Sequence, residues 1–301
     1  MNEGIPGGVL LLDKPQGVSS FQALRPLKRL FPKTKIGHAG TLDPAASGLL
    51  LIGIGSATRL LEYMEGMPKT YSFQARFGSV SDSYDMEGAL EPHPGAANAL
   101  DLDAARIEAA LEPFRGRIRQ TPPVYSAIKI SGERACDRAR AGETVTLESR
   151  EVEVHDLRLV SFAFDAAGTA VAELSMICSK GTYVRSLVHD LGQALGCGAV
   201  TDKIRRLAIG PFRVEDASPP ESLAPGMDLL PPDLAVAHLP PAVVPEDWVP
   251  RFLNGQAFNV EPLPPGGTGE FRALDGSGRL LAIATLSPQG MLCPRKVLAK
   301  A

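Results

Sequence analysis

"KTYSFQARF", residues 69–77, is the stretch on which the fold turns, because Tyr71, Phe73, Ala75 and Phe77 alternate there with polar neighbours. That is the two-residue period of a half-buried strand. Upstream, "GVLLLDKP" reads as a buried strand stopped by Pro15, and "LLLIGIG" as a second one. Between them, "SSFQALRPLKRLF" has a helical pattern opened by Ser19, with Gln22 three residues on at capping-box spacing. Pro26 falls inside that pattern, where it is placed to kink the helix, and Pro32 ends it. "SATRLLEYMEG" reads as a short helix, "LDAARIEAALEPF" and "TYVRSLVHDLGQAL" as helices, and "EVEVHDLRLVSF" and "TAVAELSMIC" as strands. Helices and strands intermix without a regular βαβ rhythm, so the expected class is α+β with a mixed or antiparallel sheet.

With 301 residues, 44% hydrophobic and 22% charged, the chain has material for two folded domains, and disorder is not the default. Nine of its 26 prolines lie between Pro219 and Pro250, a density that stiffens a connector and forbids long helices. The boundary is therefore placed near residue 240, giving units 1–239 and 240–301. In the second unit, "FRALD", "RLLAIATL" and "MLCPRKVLA" are short strand patterns separated by Gly-rich turns, the marks of a small β-rich module. No apolar run is long enough to span a membrane and no signal peptide opens the chain, so a cytoplasmic protein without a membrane association is expected. Four widely spaced cysteines without a CxxC pair read as free thiols. The formal charge of −3 argues against a nucleic-acid partner, but "LKRLFPKTK", "FRGRIRQ", "GERACDRARAG" and "DKIRRL" concentrate basic residues, and one positive face on a weakly acidic protein is compatible with that distribution.

Several chemistries lack their motifs. "GIGSAT" has no third glycine of a dinucleotide fingerprint, no phosphate loop is present, and the five histidines show no metal-ligand spacing. A GxSxG elbow is missing, and position 45 is alanine where a phosphatase-type aspartate nucleophile expects a second acid. What remains is "GHAGTLDPAASG", residues 37–48, whose one acid is Asp43. Asp before Pro commonly opens a turn, a reading that needs no function. Gly37, Gly40 and Gly48 point further, since they free the backbone and leave space beside the carboxylate for a bound group. Tyr71, and Tyr183 with Arg185 in "CSKGTYVRSLVHDLG", place rings and a cation near element starts.

"GVLLLDKPQGVSS", "GHAGTLDPAASGLLLIGIGSATRLLEYM", "KTYSFQARFG", "TPPVYSAIKISGERACDRARAG", "CSKGTYVRSLVHDLGQALGCGA" and "IRRLAIGPF" follow one another in an order and spacing that resembles the TruB family of tRNA pseudouridine synthases. The resemblance runs nearly end to end, and the tail is similar to the PUA module, a small RNA-binding unit. It implies that Asp43 is the catalytic aspartate, that Tyr71 stacks on the target uracil, and that Arg185 steadies and aims the carboxylate. By the same resemblance His38, Tyr183 and Leu207 contact the flipped nucleotide or its surroundings, and residues 125–142 form an insertion that closes over the tRNA T-loop. The implied reaction is isomerisation of uridine 55 to pseudouridine by base flipping, with no metal, nucleotide or redox cofactor and no obligatory protein partner. That insertion also separates the chain from the family's guide-RNA-dependent relatives. Ala39 and Ser47 stand where the family often has threonine, and Ala135 and Cys136 where a leucine and an aromatic are common.

Overall fold

The computed structural model describes residues 7–130, 132–260 and 267–298. The first six residues, Ser131 of the expected insertion, and 261–266 and 299–301 of the expected second unit lie outside the described residues.

Among the described residues nine strands form one sheet. They are β1 (Gly8–Lys14), β2 (Ile36–Ala39), β3 (Ser47–Ile54), β4 (Lys69–Phe77), β5 (Gly116–Gln120), β6 (Arg150–Phe164), β7 (Ala170–Cys178), β8 (Ala199–Ile209) and β9 (Phe212–Arg213). The order is β1-β3-β8-β4-β7-β6-β5, with β2 on β3 and β9 on β8. The sheet is mixed: β8 runs parallel to β3 through Arg205↔Ser47 and Arg206↔Gly48, while its other partners are antiparallel. The class is α+β, as the intermixed pattern implies.

The apolar runs of β1 and β3 have a physical reason, because both strands are covered on both faces. Leu10, Leu12, Leu50, Ile52 and Ile54 pack with Ala23 of α1 (Ser20–Ala23), Leu27 of α2 (Arg25–Leu30) and Leu24 between the two helices. Val9, Leu11, Leu49 and Leu51 face the other way, toward Met64 of α3 (Leu61–Gly66). Pro26 does more than kink a helix: it splits the pattern into α1, capped by Ser19 with a complete capping box, and α2, which carries the proline in its first turn. Strand β4 buries Phe73, Ala75 and Phe77 beneath Leu187, Val188 and Leu191 of α6 (Val184–Ala194) and Ile107 and Leu111 of α4 (Ala104–Leu111). Helix α5 (Ala135–Arg140) lies in the expected insertion.

Five further strands, β10 (Pro241–Val243), β11 (Phe258–Asn259), β12 (Gly269–Leu274), β13 (Leu280–Leu286) and β14 (Met291–Val297), form a second sheet of order β10-β12-β13-β14-β11. Phe252, Phe258, Phe271, Leu281 and Leu292 are at its core. The proline-rich segment before it is pinned along β1 instead of hanging free, with hydrogen bonds Ser218 N to Leu11 O (3.0 Å) and Leu230 N to Val9 O (2.8 Å).

Candidate active site

Asp43 lies in the connection from β2 to β3, and its neighbours are held from three sides. Ser20 Oγ donates to the carbonyl of Leu42 (3.0 Å) and accepts from its N–H (2.9 Å). The Pro44 carbonyl accepts from Gly17 N (2.8 Å) and Lys14 Nζ (3.4 Å). Arg206, buried in the sheet, donates to the carbonyls of Gly40 (3.1 Å) and Leu49 (2.7 Å). Gly48 has φ +103°, and a Cβ there would lie 2.7 Å from the Arg206 nitrogen. It serves the close approach of β8 to β3 and makes no hollow beside the acid, which corrects the expectation from sequence.

Arg185 follows Tyr183, the N-cap of α6, whose backbone is clamped by Gln120 at the end of β5: Nε2 donates to its carbonyl (2.9 Å) and Oε1 accepts from its N–H (2.7 Å). Only 4% of the Arg185 side chain is exposed, against 38% for Asp43, and the two meet at 2.8 Å, Nη2 to Oδ2. The guanidinium also donates to the carbonyls of Ser83 and Tyr125, each at 2.9 Å. A second, buried acid, Asp85, lies 3.4 Å from Nη1. Asp85 is itself fixed by Ser83 Oγ (2.5 Å) and the Glu87 N–H (3.0 Å). The two terminal nitrogens of this buried cation face two carboxylates and two carbonyls, so its direction is set by the fold, while its buried Nε has no hydrogen-bond partner.

Asp43 and Arg185 form a shared wall of three cavities, of about 400, 790 and 430 Å³, volumes within the roughly 300–1,000 Å³ of small-ligand sites. The first also holds Tyr71, Lys69, Lys180, Tyr183 and Arg206. Burial raises the Tyr71 phenol pKa, and the nearby Arg206 opposes that rise. The Tyr183 ring has the Arg150 guanidinium 5.0 Å from its centroid. His38 lines the second cavity instead, as do Arg134, Cys136 and Arg140 of the insertion. Burial and then Arg206 lower its imidazole pKa, and its buried Nδ1 has no hydrogen-bond partner. The cavities do not include Leu207: it sits in the bulge between the Arg206↔Tyr71 and Ala208↔Thr70 pairs and packs on the cluster of Met67 and Val214.

Thus Asp43, Tyr71, Arg185 and Tyr183 converge, His38 stands in the adjoining cavity, and Leu207 stands apart. Sequence reasoning missed Lys14, Ser20, Asp85, Gln120 and Arg206. Asp85 and Arg206 were each hidden in a charge run, "DSYDMEGALE" and "DKIRRL", that reads as solvated surface.

The family model described as TruB family pseudouridylate synthase (N terminal domain) matches residues 28–184, and that of the tRNA pseudouridylate synthase B C-terminal domain matches residues 185–226. Over 298 residues the chain is 41% identical to tRNA pseudouridine synthase B of Chromohalobacter salexigens, covering 97% of this chain and 94% of the relative. It is 38% identical over 303 residues to the protein of that name from Pseudomonas aeruginosa, with 97% and 95% covered. Among solved structures, a Cbf5–Nop10–Gar1 complex contains a chain that superposes with TM-score 0.73 at 23% identity, covering 97% of this chain and 85% of that one. An H/ACA RNP bound to a substrate RNA containing 2'-deoxyuridine gives TM-score 0.73 at 21% identity, with the same shares covered. At those identities the likeness is one of fold.

Proposed function

The chain belongs to the TruB family of tRNA pseudouridine synthases, and from that premise we propose that it isomerises uridine 55 in the T-loop of tRNA, with Asp43 as the catalytic carboxylate. The observation that carries the reading is the pairing of a half-exposed acid with a buried guanidinium at 2.8 Å, in a wall shared by three cavities.

A uracil stacked inside RNA cannot have its glycosidic bond cut and its ring turned, so the nucleotide leaves the stack at a cost of a few kcal/mol. Stacking on Tyr71 returns about 1–3 kcal/mol per base. The N1–C1′ bond then breaks, C5 bonds to C1′, the proton on C5 departs and N1 gains one. The sum is an isomerisation that consumes no oxidant, reductant or cofactor. Asp43 provides a half-exposed carboxylate held by Arg185, and two roles suit it: a nucleophile toward the sugar or ring, or a base toward a sugar proton. His38 and Tyr183 serve the flipped nucleotide and its neighbours, whereas Leu207, outside the cavities, reaches the RNA only at the periphery of the site. Residues 125–142, which bring Arg134 and Arg140 to the second cavity, close over the T-loop. The unit from residue 240 onward is a PUA-like RNA contact, the enzyme works in the cytoplasm, and no partner protein is required.

The test is an unmodified tRNA transcript incubated with purified protein alone, followed by mapping of pseudouridine. Asp43→Asn is nearly isosteric and keeps tRNA binding, and it loses turnover by at least about a thousandfold, as when a reacting group is removed. Retained turnover in that variant refutes the catalytic role, and a modified position other than 55 refutes the substrate.

A further inference from the structure

Resting on that reading, we propose that Tyr84 and His189 are positioning residues for the reaction: their stacked rings hold the 81–88 turn against α6 and thereby keep Asp85 on Arg185. The ring centroids are 3.9 Å apart with an interplanar angle of 15°. His189 lies four residues after Arg185, so both project from one side of α6 onto the same turn. Arg185 takes the carbonyl of Ser83 and the carboxylate of Asp85, and His189 takes the ring of the residue between them.

The turn needs that hold. Tyr84 has φ +63°, a left-handed conformation uncommon for a bulky side chain. From the start of β8, the Thr201 N–H donates to the Tyr84 carbonyl at 2.9 Å, and Asp85 forms an isolated bridge with Thr201. The turn is therefore clamped between the start of β8 and the face of α6. Without the stacked rings, the simplest relaxation is a return of Tyr84 to negative φ. Asp85 is the next residue, so that rotation carries its carboxylate off Arg185 Nη1 and leaves Asp43 as the guanidinium's one acidic partner. Burial lowers the pKa of the His189 imidazole, and its buried Nδ1 has no hydrogen-bond partner; it acts here as a flat ring.

Steady-state kinetics on the tRNA transcript test this with His189→Ala, His189→Phe and Tyr84→Gly. His189→Ala lowers kcat by about tenfold with KM for tRNA unchanged, since a displacement near 1 Å at a reacting group costs up to a hundredfold. His189→Phe, which keeps a ring in the stack, restores wild-type kcat. Tyr84→Gly suits the positive φ and so keeps or raises Tm, yet its kcat falls as in His189→Ala. Because both act through Asp85, adding His189→Ala to Asp85→Asn lowers kcat no further. Wild-type kcat in His189→Ala or Tyr84→Gly, or effects that multiply with Asp85→Asn, overturn the proposal. Should His189→Ala fail to fold, Tyr84→Gly decides. A wild-type protein that forms no pseudouridine overturns the functional reading and this one together, whereas an active wild type with unaffected variants overturns this one alone.

Discussion

Lys14 carries a charge in a place the fold makes costly. Its Nζ is enclosed by the carbonyls of Pro15 (2.8 Å), Val18 (2.7 Å) and Pro44 (3.4 Å). Burial lowers its pKa from 10.5 to about 8, against the pull of Asp43. The unfolded chain thus holds this proton up to the ordinary lysine range, while the folded one releases it near pH 8. Between those values unfolding takes up a proton, so this residue makes stability rise with pH. Urea unfolding of wild type and Lys14→Met across pH 8 to 10.5 should show their stability difference moving in favour of the wild type. Cys178, pushed to about 11 by burial, works in the opposite sense but does so in both proteins and cancels. A difference that stays flat refutes the assignment. At this scale the sequence was partly readable. Asp43, Tyr71 and Arg185 stand in short, unusual settings. Asp85 and Arg206 look like their charged neighbours, and a linear pattern does not say which member of a charge run turns inward.

Among the elements, β8 was hidden from sequence, although it joins the two halves of the sheet. "AVTDKIRRLAI" carries Asp202, Lys203, Arg205 and Arg206, and its ladder with β4 shifts register twice, so no two-residue period survives. Its charges are absorbed locally: Arg205 pairs with Asp13 at 2.7 Å, and Arg206 is spent on carbonyls of the Asp43 loop and β3. The same masking covered β5, whose "GRIRQ" reads as a basic cluster. By contrast β1, β3, β4 and β7 were legible because burial on one or both faces writes itself as alternation or as a run. The parallel contact of β8 with β3 rests on Gly48. Gly48→Ala adds a Cβ where the Arg206 backbone already lies and places alanine at φ +103°. We expect it to cost at least about 2 kcal/mol in denaturant unfolding, from backbone strain together with the steric clash. Unchanged stability would show that the strands separate freely at this point.

Across the whole molecule, the second sheet is joined to the first by a common core. Leu280 and Ile283 of β13 leave their own sheet's core and pack into the cluster of Val9, Leu11, Leu49 and Leu51. Polar contacts frame that junction: Tyr63 Oη donates to Glu270 at 2.8 Å, Lys296 pairs with Glu62 beside the Tyr63 ring, and Arg59 reaches the Val297 carbonyl. The exposed ion pairs add little, so the apolar contact does most of the joining. Calorimetry should therefore give one transition for the whole chain. Ile283→Ala should move that transition as a unit, at a cost of about 3 kcal/mol for a buried isoleucine cut to alanine. Two separate transitions, with only the lower one moved by Ile283→Ala, would show that the sheets unfold independently. The strand that receives Ile283 links the junction to the chemistry: β1 meets the second sheet through Val9 and Leu11, and at its other end Lys14 holds the carbonyl next to Asp43. Below the transition β1 stays paired to β3 along its length, so Ile283→Ala should keep wild-type kcat there, and a loss of kcat in the folded variant would mean that the junction itself tunes the Asp43 loop.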